Sequence, residues 1–233
     1  LALAPYGLGL VTAAVAWRML PPDRPDATTT IREQLGGVGE VVRRPAVLAV
    51  LAGGTLSFVM IFGVFLATLP LHLEDEFGFS ASIRGLFLSL PAVPSTLVAF
   101  NLQRIRVVVE PRALLVGCSL AFGLGFALIA SSTTVGLVVL GCLVYGAGEG
   151  ALIPSLQDLS VDMSPPEHRG AVVAVYVGAA RLGQTIGPVG ASSLYAATST
   201  FVALWVGAGL AVVLALLFLF TPTSTPAPVP ADA

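Results

Sequence analysis

Two ionisable residues lie inside long apolar stretches of this chain, and they are its clearest candidates for chemistry. Glu149 lies in the run YGAGEGALIP and Arg181 in the run AARLGQTIGP. An ionisable side chain is costly to keep in a bilayer, so each of the two is a functional-site hypothesis. An arginine can hold a carboxylate through two hydrogen bonds. If the two stretches are neighbouring antiparallel helices, the two side chains are predicted to face each other.

Three interpretations of Glu149 remain open at this point. It binds a proton or a substrate cation in a water-filled cavity, it is the structural partner of Arg181, or it faces water at the mouth of a cavity. The first two are compatible, because binding of a proton would break the ion pair. For Arg181, an ion pair or an anion contact inside the bundle is favoured over a position facing lipid, which offers no partner.

Small and helix-bending residues surround the two charges. Small residues four apart let helix backbones approach closely, and a proline removes one backbone donor and bends a helix. Either a tight structural crossing or a moving hinge and gate explains them. The residues assigned to this group are Gly146, Gly150, Pro154, Gly183, Gly187, Pro188 and Gly190.

The amino-acid composition indicates the environment in which these residues lie. Hydrophobic residues make up 56% of the chain, charged residues 10%, and the mean hydropathy is +0.93. A soluble domain carries about 25% charged residues. The chain is therefore predicted to be an all-α polytopic membrane protein, with the lipid bilayer as its surroundings.

Several kinds of chemistry find no motif in the sequence. Cys118 and Cys142 lie in apolar runs and are predicted to be buried thiols, without the Cys and His spacing of a metal site. GAGEG lacks the Lys-Ser/Thr of a nucleotide loop, and neither HExxH nor GxSxG is present. We expect no enzyme activity, no cofactor, no metal and no nucleic-acid partner.

Seven apolar stretches are predicted to cross the membrane, at 1–19, 46–73, 85–102, 113–130, 135–156, 171–196 and 201–220. Pro91 and Pro94 should kink the third of them. Thr30 and Glu33 match a capping box that would start a short helix in the polar segment 21–44. The Pro-rich tail, 221–233, is predicted to be disordered.

The arginines predict the orientation. The turns 21–44, 103–112 and 158–169 hold nearly all of them, whereas the turns 74–79, 131–134 and 197–200 hold none. Because basic residues concentrate in cytoplasmic loops, the arginine-bearing turns and the C-terminus are predicted to be cytoplasmic. Arg84 is the exception, at the external end of its span beside the acidic cluster of residues 74–76, which is predicted to be a solvated loop.

These stretches resemble the C-terminal half of a twelve-span transporter of the major facilitator superfamily. PPEHRG, which ends in Arg169 and Gly170, resembles the P-x-x-x-R-G cytoplasmic turn before the family's eleventh helix, and RLGQTIGP resembles that helix. Its GxxxGP is similar to a motif that drug-proton antiporters carry on their fifth helix. Residues 103–112 depart from the family's G-x-x-x-D-R-x-G-R-R turn, which puts a gating latch there in doubt.

The resemblance implies a domain plan and a function. Residues 1–20 would end the sixth helix, 21–44 would be the central cytoplasmic loop, and 45–220 would form the C-terminal six-helix bundle. Spans 46–73 and 135–156 would line the central cavity, and spans 85–102 and 171–196 would face an N-terminal half, which we expect to precede Leu1 as a partner. The implied protein is a multi-pass transporter of the cell membrane.

Three functions compete. The first is an antiporter that exports small hydrophobic compounds in exchange for protons, with Glu149 and Arg181 in proton and substrate coupling. The second is an importer or symporter of a polar metabolite, which would need more polar residues than the span 46–73 offers beyond Thr55, Ser57 and Thr68. The third is a truncated membrane protein that does not transport and acts as a partner or scaffold.

Overall fold

A computed structural model describes Val15, Arg18, Met19, Gly39 and residues 41–165 and 168–221. Its ordered elements are helices, and no strand occurs among the described residues. We number the six long helices α1 to α6: Pro45–Phe77, Ala81–Val108, Pro111–Ala130, Val135–Asp162, Arg169–Ala197 and Thr200–Phe220. Each is long and apolar enough to cross a membrane. The predicted all-α polytopic fold is confirmed.

Each of the six helices contains one of the last six predicted spans, in the same order. The chain divides into two compact units, Leu1–Glu33 and Gln34–Ala233, and α1 to α6 belong to the second. Apart from three helical residues, Val15, Arg18 and Met19, the predicted first span lies outside the described residues. The capping box at Thr30 and the tail beyond Thr221 also lie outside the described residues.

Helix α1 changes its winding at mid-length. Residues Met60–Thr68 are π-helical, with ordinary α-helix on both sides. The hydroxyl of Thr68 donates to the carbonyl oxygen of Gly63, five residues earlier, at 3.1 Å. A π-helical segment of this kind is often found at a functional site, and no pattern in the sequence indicated it.

Helix α2 is interrupted where prolines were predicted to kink it. The segment Ala81–Ser89 ends at Leu90, and Ala92–Val108 follows Pro91. Pro94 falls in the first turn of the second segment, where a missing backbone donor removes no helical hydrogen bond. The break therefore belongs to Pro91.

The helices pack in a defined set of pairs. Helix α1 packs mainly against α5, α2 against α4, and α3 against both α4 and α6. The core lies where α1, α3, α4 and α6 meet, and its largest fully buried side chains include Tyr145, Phe122, Phe126, Phe218 and Met60. Helices α2 and α5 are the least covered of the six by other parts of the described chain.

The turns are shorter than predicted because the helices run on into them. Helix α1 continues to Phe77, so the acidic residues predicted as a loop form its last turns, before Gly78 with φ of 63°. Glu74 forms an ion pair with Arg84 of α2, and Arg84 also donates to the Pro70 carbonyl. The basic stretch 103–112 is likewise helical as far as Val108.

Candidate functional site

A cavity of about 500 Å³ lies between α1, α2 and α4, and Glu149 is in its wall. Apolar side chains and prolines form most of the lining, including Ile61, Phe65, Leu88 and Ile153. The polar side chains are those of Ser95, Thr96, Tyr145 and Glu149. An apolar cleft with a few polar groups is the usual form of a small-molecule site.

Glycines on both sides of Glu149 bring α4 against its neighbours. A Cβ atom at Gly146 would lie 2.5 Å from the Pro91 carbonyl oxygen, and one at Gly150 would overlap the Ser95 carbonyl. On another face of α4, a Cβ at Gly148 would lie 2.8 Å from the Cys118 carbonyl oxygen of α3. Backbone contact at these three points fixes α4, so the carboxyl group of Glu149 is held at the α1–α2 side.

The carboxyl group of Glu149 has no hydrogen bond and no ion pair to any described residue. Its side chain is partly buried. A buried charge is normally paired or hydrogen-bonded, so an unpaired carboxyl in a mainly apolar wall is suited to binding a proton or a cation from the cavity.

Tyr145 lies one helical turn before Glu149 and was not singled out from the sequence. Its ring stacks on Phe65 at 4.3 Å between centroids and is tilted against Phe122 and Phe126 at 4.7 and 5.4 Å. Its hydroxyl is buried without a hydrogen-bond partner among the described residues. The spacing of Tyr145 and Glu149, four residues on one helix, was the available signal.

The predicted ion pair between Glu149 and Arg181 is not formed in the structure. Arg181 is exposed on α5, where its Nη1 donates to Oε1 of Gln184 at 2.7 Å. The physical reason is the packing order: α5 packs on α1, whereas α4 packs on α2 and α3. Helix α1 has Ile61 in the lining of the Glu149 cavity and Gly63 against α5, so it contacts both regions, whereas α4 and α5 contact each other only weakly.

The glycines of α5 form the second close crossing. A Cβ at Gly183 would overlap the Thr55 carbonyl of α1, and one at Gly187 would lie 2.9 Å from the Val59 carbonyl. The Thr55 hydroxyl adds a hydrogen bond of 3.1 Å to the Ala179 carbonyl. At this crossing, Gly183 and Gly187 are in contact with backbone and leave no room for a side chain.

The remaining small residues of the group differ in their surroundings. Pro154 lies inside α4 and lines the Glu149 cavity, and Pro188 lies inside α5 without ending it. A Cβ at Gly190 would meet nothing within 4 Å. Gly190 borders instead an apolar crevice of about 280 Å³ between α1, α5 and α6.

These helices and their order match known proteins. Residues 51–233 match the model of the Major Facilitator Superfamily, which covers more than half of the chain.

The chain belongs to the Major Facilitator Superfamily.

A solved structure agrees with this family assignment in its fold. The human organic anion transporter MFSD10 (TETRAN) matches with a TM-score of 0.66 and 18% identity, over 83% of this chain and 42% of that one. Among curated proteins, "Triacylglyceride transporter/C731_2106" of Mycolicibacterium hassiacum is 37% identical over 79 residues, which are 34% of this chain and 15% of the relative. The chain thus spans less than half of the structure that it matches.

Two turns that were predicted to be cytoplasmic, 158–169 and 103–112, differ in their contacts. Arg169 and Gly170 are exposed at the start of α5, and a Cβ at Gly170 would meet nothing within 4 Å. At the other turn, Arg106 donates to Asp158 of α4 at 2.5 Å and to the Ser155 hydroxyl at 3.0 Å. Sequence reasoning missed this second contact because Arg106 was assigned to a loop.

No group of three or more His, Cys, Asp or Glu side chains with the geometry of a metal site occurs in the part of the chain that the structure describes. Cys118 and Cys142 are buried and unbonded to each other. Neither thiol lines the Glu149 cavity. The candidate site therefore consists of one carboxyl group, three hydroxyl groups and an apolar wall.

Proposed function

We propose that the protein is a secondary transporter that exports small hydrophobic compounds in exchange for protons, with Glu149 as the proton-binding group. The observation that carries this proposal is the carboxyl group of Glu149, which has no partner among the described residues and lies in the wall of an apolar cavity. Gain or loss of one proton there changes the charge of the cavity. Exchange requires that the proton and the substrate exclude each other from the cavity, and we assign the coupling to release of the substrate when the carboxyl group takes up a proton.

The cavity lining is mainly apolar and does not include the hydroxyl residues of α1, which supports a hydrophobic substrate over a polar metabolite. The three hydroxyl groups of α1 already donate to backbone carbonyls: Thr55 to Leu51 and Ala179, Ser57 to Gly53, and Thr68 to Gly63. They are therefore engaged within the protein. A polar substrate would need several convergent hydrogen-bonding groups, and a volume of about 500 Å³ suits one small molecule in a wall of this kind.

The names of the similar proteins agree with a substrate that is soluble in lipid or amphipathic. One relative is named as a transporter of triacylglycerides, and the solved structure is described as an organic anion transporter. Each name belongs to the relative. For this chain the two names support the choice of a lipophilic compound as the first substrate to test.

Arg181 is proposed to be the second coupling residue, acting separately from Glu149. An arginine near the middle of a span is costly in lipid and normally faces protein or a water-filled cavity. Arg181 is exposed on α5 and contacts Gln184 on the same helix. We therefore propose that its exposed guanidinium group binds an anionic group. That group belongs either to the substrate or to another part of the transporter, and that part would move against this bundle during transport.

The orientation is part of the proposal: a multi-pass protein of the cell membrane, with residues 21–44, 103–112, 158–169 and the C-terminus in the cytoplasm. Single cysteines introduced at Glu110 and Thr133 test it, since the native thiols are buried. In intact cells an impermeant maleimide should label Thr133→Cys but not Glu110→Cys. The reverse pattern would contradict the orientation.

Transport of a fluorescent hydrophobic dye by the complete gene product tests the coupling role of Glu149. Glu149→Gln should abolish efflux driven by a proton gradient, because a neutral amide has no titratable proton. Glu76→Gln is the matched control, since Glu76 is exposed on the last turn of α1, away from the cavity. Unchanged proton-driven efflux in Glu149→Gln would exclude the proposed role, and dye uptake by the wild type would contradict export.

A further inference from the structure

The hydroxyl group of Tyr145 is a polar atom inside an otherwise apolar aromatic cluster. The residue is 1% exposed, and its ring is enclosed by Phe65 of α1 and by Phe122 and Phe126 of α3. Contact on three sides prevents the ring from turning. The direction of the hydroxyl group is therefore fixed by the packing.

This hydroxyl group is unpaired among the described residues, although it is buried. A buried donor without a partner destabilises a protein, whereas a phenylalanine would fill the same space without that penalty. An unpaired hydroxyl is explained if its partner arrives from outside the protein. Tyr145 belongs to the lining of the cavity that also contains Glu149, so this cavity is the space from which such a partner would come.

We infer that Tyr145 is a ligand-binding residue whose O–H group donates to the molecule in the Glu149 cavity. This inference rests on the proposed function and narrows its substrate class. The ligands are hydrophobic molecules that carry a hydrogen-bond acceptor, such as the carbonyl oxygen of an ester or a ketone. A hydrogen-bond donor on a ligand would bind the neighbouring carboxylate of Glu149 better than the Tyr145 hydroxyl group. When it is ionised, this carboxylate accepts hydrogen bonds and cannot donate them.

Two variants that each remove one oxygen atom test this. Tyr145→Phe keeps the aromatic packing and loses the donor. Tyr176→Phe is the matched control, because the Tyr176 hydroxyl is also buried and unpaired among the described residues. Tyr176 packs instead against Gly54 of α1, where a Cβ would lie 2.7 Å from its ring, and it is absent from the lining of the cavity.

The probes are 9-fluorenone and fluorene, two molecules with the same ring skeleton that differ in one carbonyl group. Dissociation constants are measured for the complete gene product in lipid nanodiscs. Tyr145→Phe should weaken fluorenone binding by about 2- to 12-fold, the value of one neutral hydrogen bond, and leave fluorene binding unchanged. Tyr176→Phe should change neither, and thermal unfolding of Tyr145→Phe should not fall below that of the wild type.

The outcomes separate the inference from the proposed function. If the wild type binds both probes and Tyr145→Phe binds both equally well, the donor role is wrong and the hydrophobic cavity stands. Equal weakening of both probes means that Tyr145 only supports the packing, and this also overturns the donor role. If the wild type binds neither probe, the hydrophobic specificity fails, and the inference fails with it.

Discussion

At two helix crossings in this bundle, a pair of glycines brings two helix backbones into contact, but the charged residues near the two pairs differ in their exposure. On α4, Gly146 and Gly150 meet the backbone of α2, and on α5, Gly183 and Gly187 meet the backbone of α1. Both pairs are four residues apart and occupy one face of their helix. Yet Glu149 of α4 lines a cavity, whereas Arg181 of α5 is exposed.

The difference comes from the position of the charge relative to the glycine pair. At about 100° per residue, Glu149 lies roughly 60–100° from the glycine face of α4, at the edge of the crossing. Arg181 lies roughly 120–160° from the glycine face of α5, nearly opposite to it. A charge beside a close crossing is thus enclosed by the partner helix, and a charge on the far side is not.

The largest expected effect comes from filling the crossings themselves. Gly150→Ala and Gly183→Ala each place a Cβ atom against a backbone carbonyl, of Ser95 and Thr55 respectively. Overpacking of this kind costs about 1–3 kcal/mol, and a backbone atom has little room to move. Thermal unfolding in detergent should show both variants to be destabilised.

Gly190→Ala is the matched control for these two variants. A Cβ at Gly190 meets nothing within 4 Å, and alanine favours a helix over glycine. Its unfolding temperature should equal or exceed that of the wild type. If Gly190→Ala lowered it as much as Gly183→Ala, close contact would not be the reason for the loss.

A smaller effect on stability is expected from the ion pair between α2 and α4. The side chains of Arg106 and Asp158 are 23% and 54% exposed, and exposed pairs contribute about 0.2–1 kcal/mol. A double-mutant cycle with Arg106→Gln and Asp158→Asn should give a coupling energy in this range. The cycle on Arg84 and Glu74, at 20% and 55% exposed, is its counterpart at the other end of α2. A coupling energy well above 1 kcal/mol at either end would show that the pair is more than a surface contact.

The smallest effect on stability is expected from Arg181→Gln. Its hydrogen bond to a described residue is within α5, to Gln184, so its removal should change the free energy of unfolding by less than about 0.5 kcal/mol. Proton-driven efflux should nevertheless fall if Arg181 binds an anion during transport. A stable variant with full efflux would exclude the coupling role, and a strongly destabilised one would mean that Arg181 packs inside the protein.

Much of the fold was predictable because its signals are local. Apolar runs of about 20 residues mark spanning helices directly, and Pro91 marks the break in α2 by removing a donor. Glycines four apart indicated close crossings, but the sequence did not say which helix each pair meets. The reach of α2 to Val108, and with it the Arg106–Asp158 contact, was missed because arginines were assigned to a turn.

The candidate site was only half visible in the sequence, for a physical reason. An ionisable residue in an apolar run identifies itself, so Glu149 and Arg181 were found. Their pairing, one of the interpretations left open, is not formed among the described residues, because α5 packs mainly on α1 and only weakly on α4. Tyr145 passed unnoticed because an aromatic residue in an apolar run is ordinary until its unpaired hydroxyl is seen.

By itself, the sequence determined that this chain forms membrane-spanning helices, the central part of each, and which residues in them carry charge. These properties follow from the free energy of moving each short segment from water to lipid, which depends on that segment alone. The tertiary structure decided which helices touch, that an acid faces a cavity while a base faces outwards, and that α1 unwinds to a π-helix at its centre. Those outcomes depend on contacts between residues far apart in the chain, which no single segment specifies.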